Sequence, residues 1–265
     1  MLAAVRKEKV KEYLLEYKNA SVTDLSKLFS VSEETIRRDL KALEDAGYVI
    51  RTHGGAVLSQ RVSKTVDNSA LEKIFVKSKE LIANQCRAFI HDGDCIYLDA
   101  STTAATICAT LQDIHVTVLT NSLRIINKLS SAENIKLICV GGNLLHSREC
   151  FVGRTANDAL NRYFVDIAFI SCRSVSIENG ITDSDDDDAE TKQIISSHAN
   201  RVCLIADHSK FGKTSFAHVC DFTRVNDIVT DMPVSEEWLH FAQENNINIW
   251  DTRPVSLPLE EWSQD

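Results

Sequence analysis

At 265 residues, 44% hydrophobic and 25% charged, with only nine Gly and three Pro, the chain has the composition of a globular protein and the length of about two domains, which excludes fibrous and disordered classes. No apolar run approaches the roughly 18 residues of a membrane span, and the N-terminus shows no signal-peptide pattern, so a cytoplasmic location with no membrane partner is expected. A net charge of −9 argues against a nonspecific polyanion binder, but the charge is uneven: residues 1–60 carry ten Lys/Arg against nine Asp/Glu, and the remainder carries 19 against 29.

Arg6–Tyr17 places Val10, Tyr13, Leu14 and Tyr17 on one face of a first helix. Ser21-Val22-Thr23-Asp24 is a helix start, and Val22, Leu25, Leu28 and Phe29 form the stripe of a second, short helix. Ser32 is a good N-cap for a third helix, with Glu33 and Glu34 in the turn where the helix dipole favours negative charge. Ile36, Leu40 and Leu43 recur at i, i+4, i+7 and mark its core face, while Thr35, Arg37, Arg38 and Lys41 lie on or beside the opposite one. After Gly47, Val49-Ile50 and Arg51-Thr52-His53-Gly54-Gly55-Ala56 predict a tight two-stranded wing. Three helices and a basic wing make a winged helix-turn-helix, the arrangement that duplex DNA reading requires. Ser32, Thr35, Arg37, Arg38, Lys41, Arg51 and His53 are its candidate DNA contacts.

The polar stretch 59–70 reads as a linker between residues 1–58 and a larger domain over 71–265, which opens with a helix at about 70–90. Seven short β-rich runs then alternate with helical ones: 95–98, 116–119, 135–140, 167–171, 202–206, 227–230 and 247–250. Continuous apolar strands alternating with helices predict an α/β domain with a mostly parallel sheet covered on both faces. The eight cysteines form no CxxC pair, and several sit in apolar runs, so free thiols are expected, with no metal and no cofactor.

Polar residues cluster where these strands end, the place where open α/β sheets bind ligands. Ser101-Thr102-Thr103 opens a helix, so hydroxyls, free N–H groups and the positive dipole end meet there, as an anion site needs. Thr120-Asn121-Ser122 repeats the design, Gly141-Gly142 follows the next strand, and Lys192 and Lys210 offer positive charge. The acidic run Asp185–Asp188 lacks the Gly and Glu of a calcium loop and reads as the electronegative first turn of a helix.

The strings VSEETIRRDL and RTHGGA resemble the DNA-reading half of the DeoR family of bacterial transcriptional repressors. DGDCIYLDASTT, TVLTNS, VGGNLL and IADHSKFGK resemble that family's effector domain, which shares its fold with ribose-5-phosphate isomerase. The resemblance implies operator DNA as one partner and a small phosphorylated metabolite as the other, at Ser101–Thr103, Asn121, Gly141, Gly142, Lys192 and Lys210. Two departures stand out: Ser101 replaces the family's usual Gly, and Arg173-Ser174 replaces a small or acidic residue followed by Gly. Arg173 invites a ligand more acidic than a simple sugar phosphate, such as a sugar acid. The rival reading is a sugar-phosphate isomerase with a fused DNA module, and it lacks the acidic motif that would supply a base after the fourth strand. One winged helix offers little surface, so a homo-oligomer on paired half-sites is expected.

Overall fold

The computed structural model of the protein describes residues 2–59 and 68–252, so most of the expected linker lies outside the described residues. Helix α1 (Ala3–Tyr17) buries Val10, Leu14 and Leu15 and ends at Lys18, whose φ of 67° lies in the left-handed region. Tyr17, expected on the core face, stands exposed against the Tyr13 ring because the helix ends there. Strand β1 (Asn19–Ser21) leads into α2 (Val22–Phe29), where the Ser21 hydroxyl accepts from the Asp24 N–H at 3.0 Å. Helix α3 (Glu33–Asp45) starts in the same way, with Ser32 Oγ accepting from the Thr35 N–H at 3.2 Å. Ile36, Leu40 and Leu43 face inward and join Val10, Leu14, Leu25 and Val49 in one small core. Asp39 is buried among them and holds Arg6 of α1 through Nε at 2.6 Å and Nη2 at 3.3 Å, an ion pair that periodicity alone does not reveal.

Strands β2 (Val49–Thr52) and β3 (Gly55–Leu58) form the wing, and β3 also pairs with β1. Gly55 makes that pairing possible, since a Cβ there would lie 2.1 Å from the Ala20 carbonyl oxygen, while one at Gly54 would meet nothing within 4 Å.

Helices α4 (Asn68–Glu72) and α5 (Val76–Arg87) stand where one continuous helix was expected. The break falls at Phe75, with φ of 51°, and Lys79 accounts for it. Its Nζ donates to the carbonyls of Leu71 and, at 2.7 Å, Ile74, taking the acceptors that a continuing helix would have used. Strands and helices then alternate through β4 (Cys95–Leu98), α6 (Ala104–Ile107), β5 (Val116–Thr120), α7 (Leu123–Leu129) and β6 (Ile135–Cys139). A hairpin of β7 (Asn143–Leu145) and β8 (Cys150–Val152) precedes α8 (Arg154–Leu160) and β9 (Val165–Ile170). Next come β10 (Ser174–Ser176), β11 (Gly180–Asp183), α9 (Asp186–Ser197), β12 (Ala199–Ile205) and β13 (Ala217–Cys220). The described residues close with β14 (Asp227–Val229), α10 (Glu236–Glu244) and β15 (Asn248–Trp250).

Seven strands form one parallel sheet in the order β15-β14-β12-β9-β4-β5-β6, built from the seven runs read as strands. Alternate residues bury on opposite faces: Tyr97, Ala168, Ile170, Leu204 and Ile228 on one, Ile96, Leu98, Phe169 and Ile205 on the other. That double burial is why the runs are continuously apolar. The β7–β8 hairpin and the small sheet β10-β11-β13 were not anticipated, because polar strands such as Ser174–Ser176 carry no apolar signal. Among the described residues no helix is long and apolar enough to cross a membrane, and none of the cysteines forms a disulfide.

The wing geometry yields a paired expectation. Gly55→Ala should destabilise the N-terminal unit by roughly 3 kcal/mol, the upper end for overpacking, and Gly54→Ala should be nearly neutral. Thermal unfolding of the two variants checks this, and equal midpoints would contradict the β1–β3 approach.

Candidate functional site

Of the residues expected to meet DNA, Arg37, Arg38, Lys41, Arg51 and His53 are exposed on α3 and the wing, Ser32 is exposed at the N-cap of α3, and Thr35 is half-buried. The side chains of Arg37, Arg38 and Lys41 are 48%, 80% and 64% exposed, each beside a carboxylate four residues away: Glu33 at 2.6 Å, Glu34 at 3.4 Å and Asp45 at 3.6 Å. Such surface pairs contribute little and yield easily to a phosphate. Arg51 faces Glu44 at 4.0 Å, and His53 stands exposed at the tip of the wing. Ser32 is committed to capping, its hydroxyl also 2.9 Å from Thr35 Oγ1.

A cavity of about 730 Å³ opens at the carboxyl ends of β4, β9 and β12, a size suited to a small metabolite. Ser101, Thr102 and Thr103 line it after β4, Ser171 to Ser174 after β9, and Asp207, Ser209 and Lys210 after β12. The Asp99 carboxylate joins two of these exits, accepting from Ser101 N–H at 3.0 Å and Ser171 N–H at 2.6 Å.

Beneath the cavity lies a buried charge cluster. Lys192 Nζ sits 2.6 Å from Asp183, 3.1 Å from Asp188 and 3.7 Å from Asp99. Arg148 donates to Asp183 at 2.8 Å and also to Asp188. Burial alone would raise the Asp183 carboxyl, but Arg148 and Lys192 outweigh it and hold the group well below the usual carboxylate range. Burial likewise opposes the Lys192 charge, and the three acids push its ammonium well above the ordinary lysine value. Lys192 therefore lines the cavity as a fixed, neutralised cation, which corrects the expectation that it offers positive charge to a ligand.

The rim differs. Arg173, Lys210 and Lys213 line the cavity without a salt bridge to any carboxylate among the described residues. Burial and the nearby Arg148 lower Arg173, and burial lowers Lys210, with Asp207 the largest of the groups opposing it. Cations held in this way are stabilised by an incoming anion.

Three residues expected in the site stand outside the cavity. Asn121 is fully buried, donating to the Phe151 carbonyl at 3.0 Å and accepting from Tyr97 Oη at 2.9 Å. Gly141 and Gly142 are exposed beyond the edge strand β6, and Gly142 is needed because a Cβ would come within 2.8 Å of Val152 O. Sequence reasoning missed Arg148, Asp183 and Lys79 in the lining, and also Leu15, Lys18 and Asn19 from the N-terminal unit. The i, i+4 spacing of Asp188 and Lys192 was the one available signal. The acidic run does start a helix, with Asp185 as the N-cap of α9, yet Asp188 turns inward to the cluster. Among the described residues no group of His, Cys, Asp or Glu is arranged to hold a metal.

A winged helix joined to a parallel α/β domain with a charged cavity at its strand ends defines a DNA-binding regulator with a sensor for small molecules. The chain belongs to the DeoR family: residues 6–62 match the DeoR-like helix-turn-helix domain and residues 74–232 the DeoR C terminal sensor domain. An uncharacterized HTH-type transcriptional regulator of Bacillus subtilis (strain 168), YulB, is 38% identical over 98% of this chain and 99% of its own length. From the same organism, the HTH-type transcriptional regulator IolR is 35% identical over 92% and 98%, and the HTH-type transcriptional repressor GlcR 32% over 90% and 92%. Ribose 5-phosphate isomerase A from Methanocaldococcus jannaschii is similar over 50% of this chain and 53% of that one, at 21% identity and a TM-score of 0.38, too distant to bear on activity. The protein is a transcriptional regulator, not an enzyme.

Removing Asp183 should expose the cost of the cluster. Asp183→Asn leaves Arg148 and Lys192 underpaired in the interior, a loss of roughly 3–5 kcal/mol in urea denaturation at neutral pH. The carboxyl is depressed in the fold, so its contribution is present above the ordinary value of about 4 and fades as pH falls below it. The gap between wild type and variant should narrow on that acid side.

Proposed function

We propose that the protein is a cytoplasmic repressor of carbohydrate-catabolism genes, released by a phosphorylated sugar or a sugar acid held at Ser101–Thr103, Arg173 and Lys210. The observation that carries this reading is the charge of the cavity, where seven Lys and Arg line the wall against two carboxylates, Asp183 and Asp207. Arg148 and Lys192 are spent on the buried acids, and Lys79 on backbone carbonyls, so the excess positive charge lies at the rim. The Arg173 guanidinium offers the planar fork that suits a carboxylate or phosphate. The similarity to GlcR, itself named a repressor, supports the direction of regulation. Residues 1–58 would read DNA and 71–265 would sense the effector, in a symmetric oligomer that sets two reading helices at the spacing of paired half-sites.

A thermal-shift panel of sugar phosphates and sugar acids tests the sensing half. A true effector at 100 times its Kd should stabilise the protein by about 2.7 kcal/mol, and Arg173→Ala with Lys210→Ala should abolish the shift. Silence across the panel would reject an anionic carbohydrate.

The reading half is tested by gel-shift titration on an operator fragment. Arg38→Ala should cost about 1–3 kcal/mol and relax preference at one base, as loss of a base contact does. Lys41→Ala should weaken every sequence alike and reduce the salt slope by about one. Unchanged affinity in both variants would displace α3 from the groove.

A further inference from the structure

The cavity is not built by the sensor domain alone. Lys18 and Asn19, at the junction of α1 and β1, line it together with Leu15 and Leu58 of the same unit. Lys18 sits at the C-cap of α1 with φ of 67°, a conformation that normally selects Gly, so a side chain is kept there against backbone preference. That side chain crosses to the other domain: its Nζ lies 5.6 Å from the centroid of the Phe75 ring and donates to the Leu15 carbonyl at 3.1 Å. It makes no salt bridge with a carboxylate among the described residues, and its wall of the cavity faces Arg173, Lys210 and Lys213. Four cations from two domains thus converge on one space, whose carboxylates are Asp183, already paired with Arg148 and Lys192, and Asp207. Burial and the repulsion of Lys213 bring the Lys18 ammonium down to about 8, against the partial opposition of Asp207.

We propose that Lys18 is an effector-binding residue supplied by the DNA-reading unit. An anion seated on Arg173 and Lys210 also takes the Lys18 ammonium, so the ligand itself clasps the winged helix to the sensor domain. Without it, like charges face one another across the domain boundary and oppose that docking. With it, the same charges share one counter-ion, and the orientation of α3 relative to the sensor domain is held. This inference rests on the anion-sensing role given to the cavity above, and adds that the reading unit touches the ligand directly.

The experiment uses the full chain with inorganic phosphate and glucose 6-phosphate as probes, followed by calorimetric titration and hydrogen exchange. Wild type, Lys18→Met, Lys18→Arg and Lys210→Met are compared. Lys18→Met should bind the better probe at least tenfold more weakly, and Lys18→Arg should recover most of the affinity. In wild type the probe should slow exchange both at the strand ends of the sensor domain and in the last turn of α1. In Lys18→Met only the sensor-domain protection should remain. If Lys210→Met weakens binding while Lys18→Met titrates like wild type, with α1 unprotected, the clasp is wrong and the sensing site stands. If neither probe binds wild type, or Lys210→Met binds it as well as wild type does, the anion-sensing reading of the cavity fails, and the clasp fails with it.

Discussion

The buried cluster of Asp99, Asp183, Asp188, Arg148 and Lys192 is the constraint on which the sensor domain depends. Isolated charges in the interior are costly, and these five are tolerated because each faces an opposite charge or backbone donors. In meeting that requirement the cluster fixes the exits of β4 and β9 against α9 and the loop before β8. It also removes the acids from chemistry. An isomerising base must reach the proton it abstracts with a pKa near working pH, whereas Asp183 is held well below the usual range and locked to two cations. Asp207 is also depressed: burial would raise it, and Lys210 with the Ser209 N–H outweighs that. The floor of this cavity is built to stay ionised, and such a floor leaves recognition to the rim.

The two domains meet through a narrow seam. Leu15 of α1 packs on Ile74, with Leu58, Leu71 and Phe75 around them, and Lys73 reaches Glu12 at 2.8 Å. Helix α4 stands between this seam and the sensor site, since Asn68 Nδ2 donates to the Ala100 carbonyl at 2.9 Å and the Arg148 carbonyl at 2.6 Å. One short helix thus touches the reading unit on one side and the backbone of the charge cluster on the other. Its C-terminal carbonyls are held by Lys79, which burial brings down to about 8. A small apolar seam resists reorientation weakly, so charge at the cavity has leverage over it.

Most of the fold was legible because it rests on local patterns. Ser21 and Ser32 cap their helices, Ile36, Leu40 and Leu43 face the core, and seven apolar runs became seven parallel strands. What stayed hidden was long-range. Arg6 with Asp39, and Arg148 with Asp183, pair across 33 and 35 residues, and no periodicity links such positions. The break between α4 and α5 depends on one lysine choosing carbonyls behind it, where the helical pattern runs on undisturbed. Cavity-lining residues were legible where hydroxyls or cations followed a strand, as at Ser101–Thr103, Arg173 and Lys210. The same rule over-reached at Asn121, where a buried amide satisfies neighbouring backbone, and at Gly141 and Gly142, which lie exposed outside the cavity, Gly142 serving a close approach to Val152. Lys18 could not be placed by that rule, since its role depends on which domain it faces.

A cavity shared between domains changes how regulation is energised. If the effector met only the sensor, its influence on DNA would pass through α4 and be limited by how stiffly that helix transmits a displacement. A ligand touching both units biases their arrangement directly, by its difference in affinity for the docked and undocked forms. Linkage is reciprocal, so whatever factor the effector imposes on operator affinity, the operator imposes on effector affinity. Factors of 5–150 correspond to about 1–3 kcal/mol, well within what one charge-assisted contact supplies. Under the proposed release by effector, the clasped orientation of α3 is the one that would break the half-site spacing of the proposed oligomer.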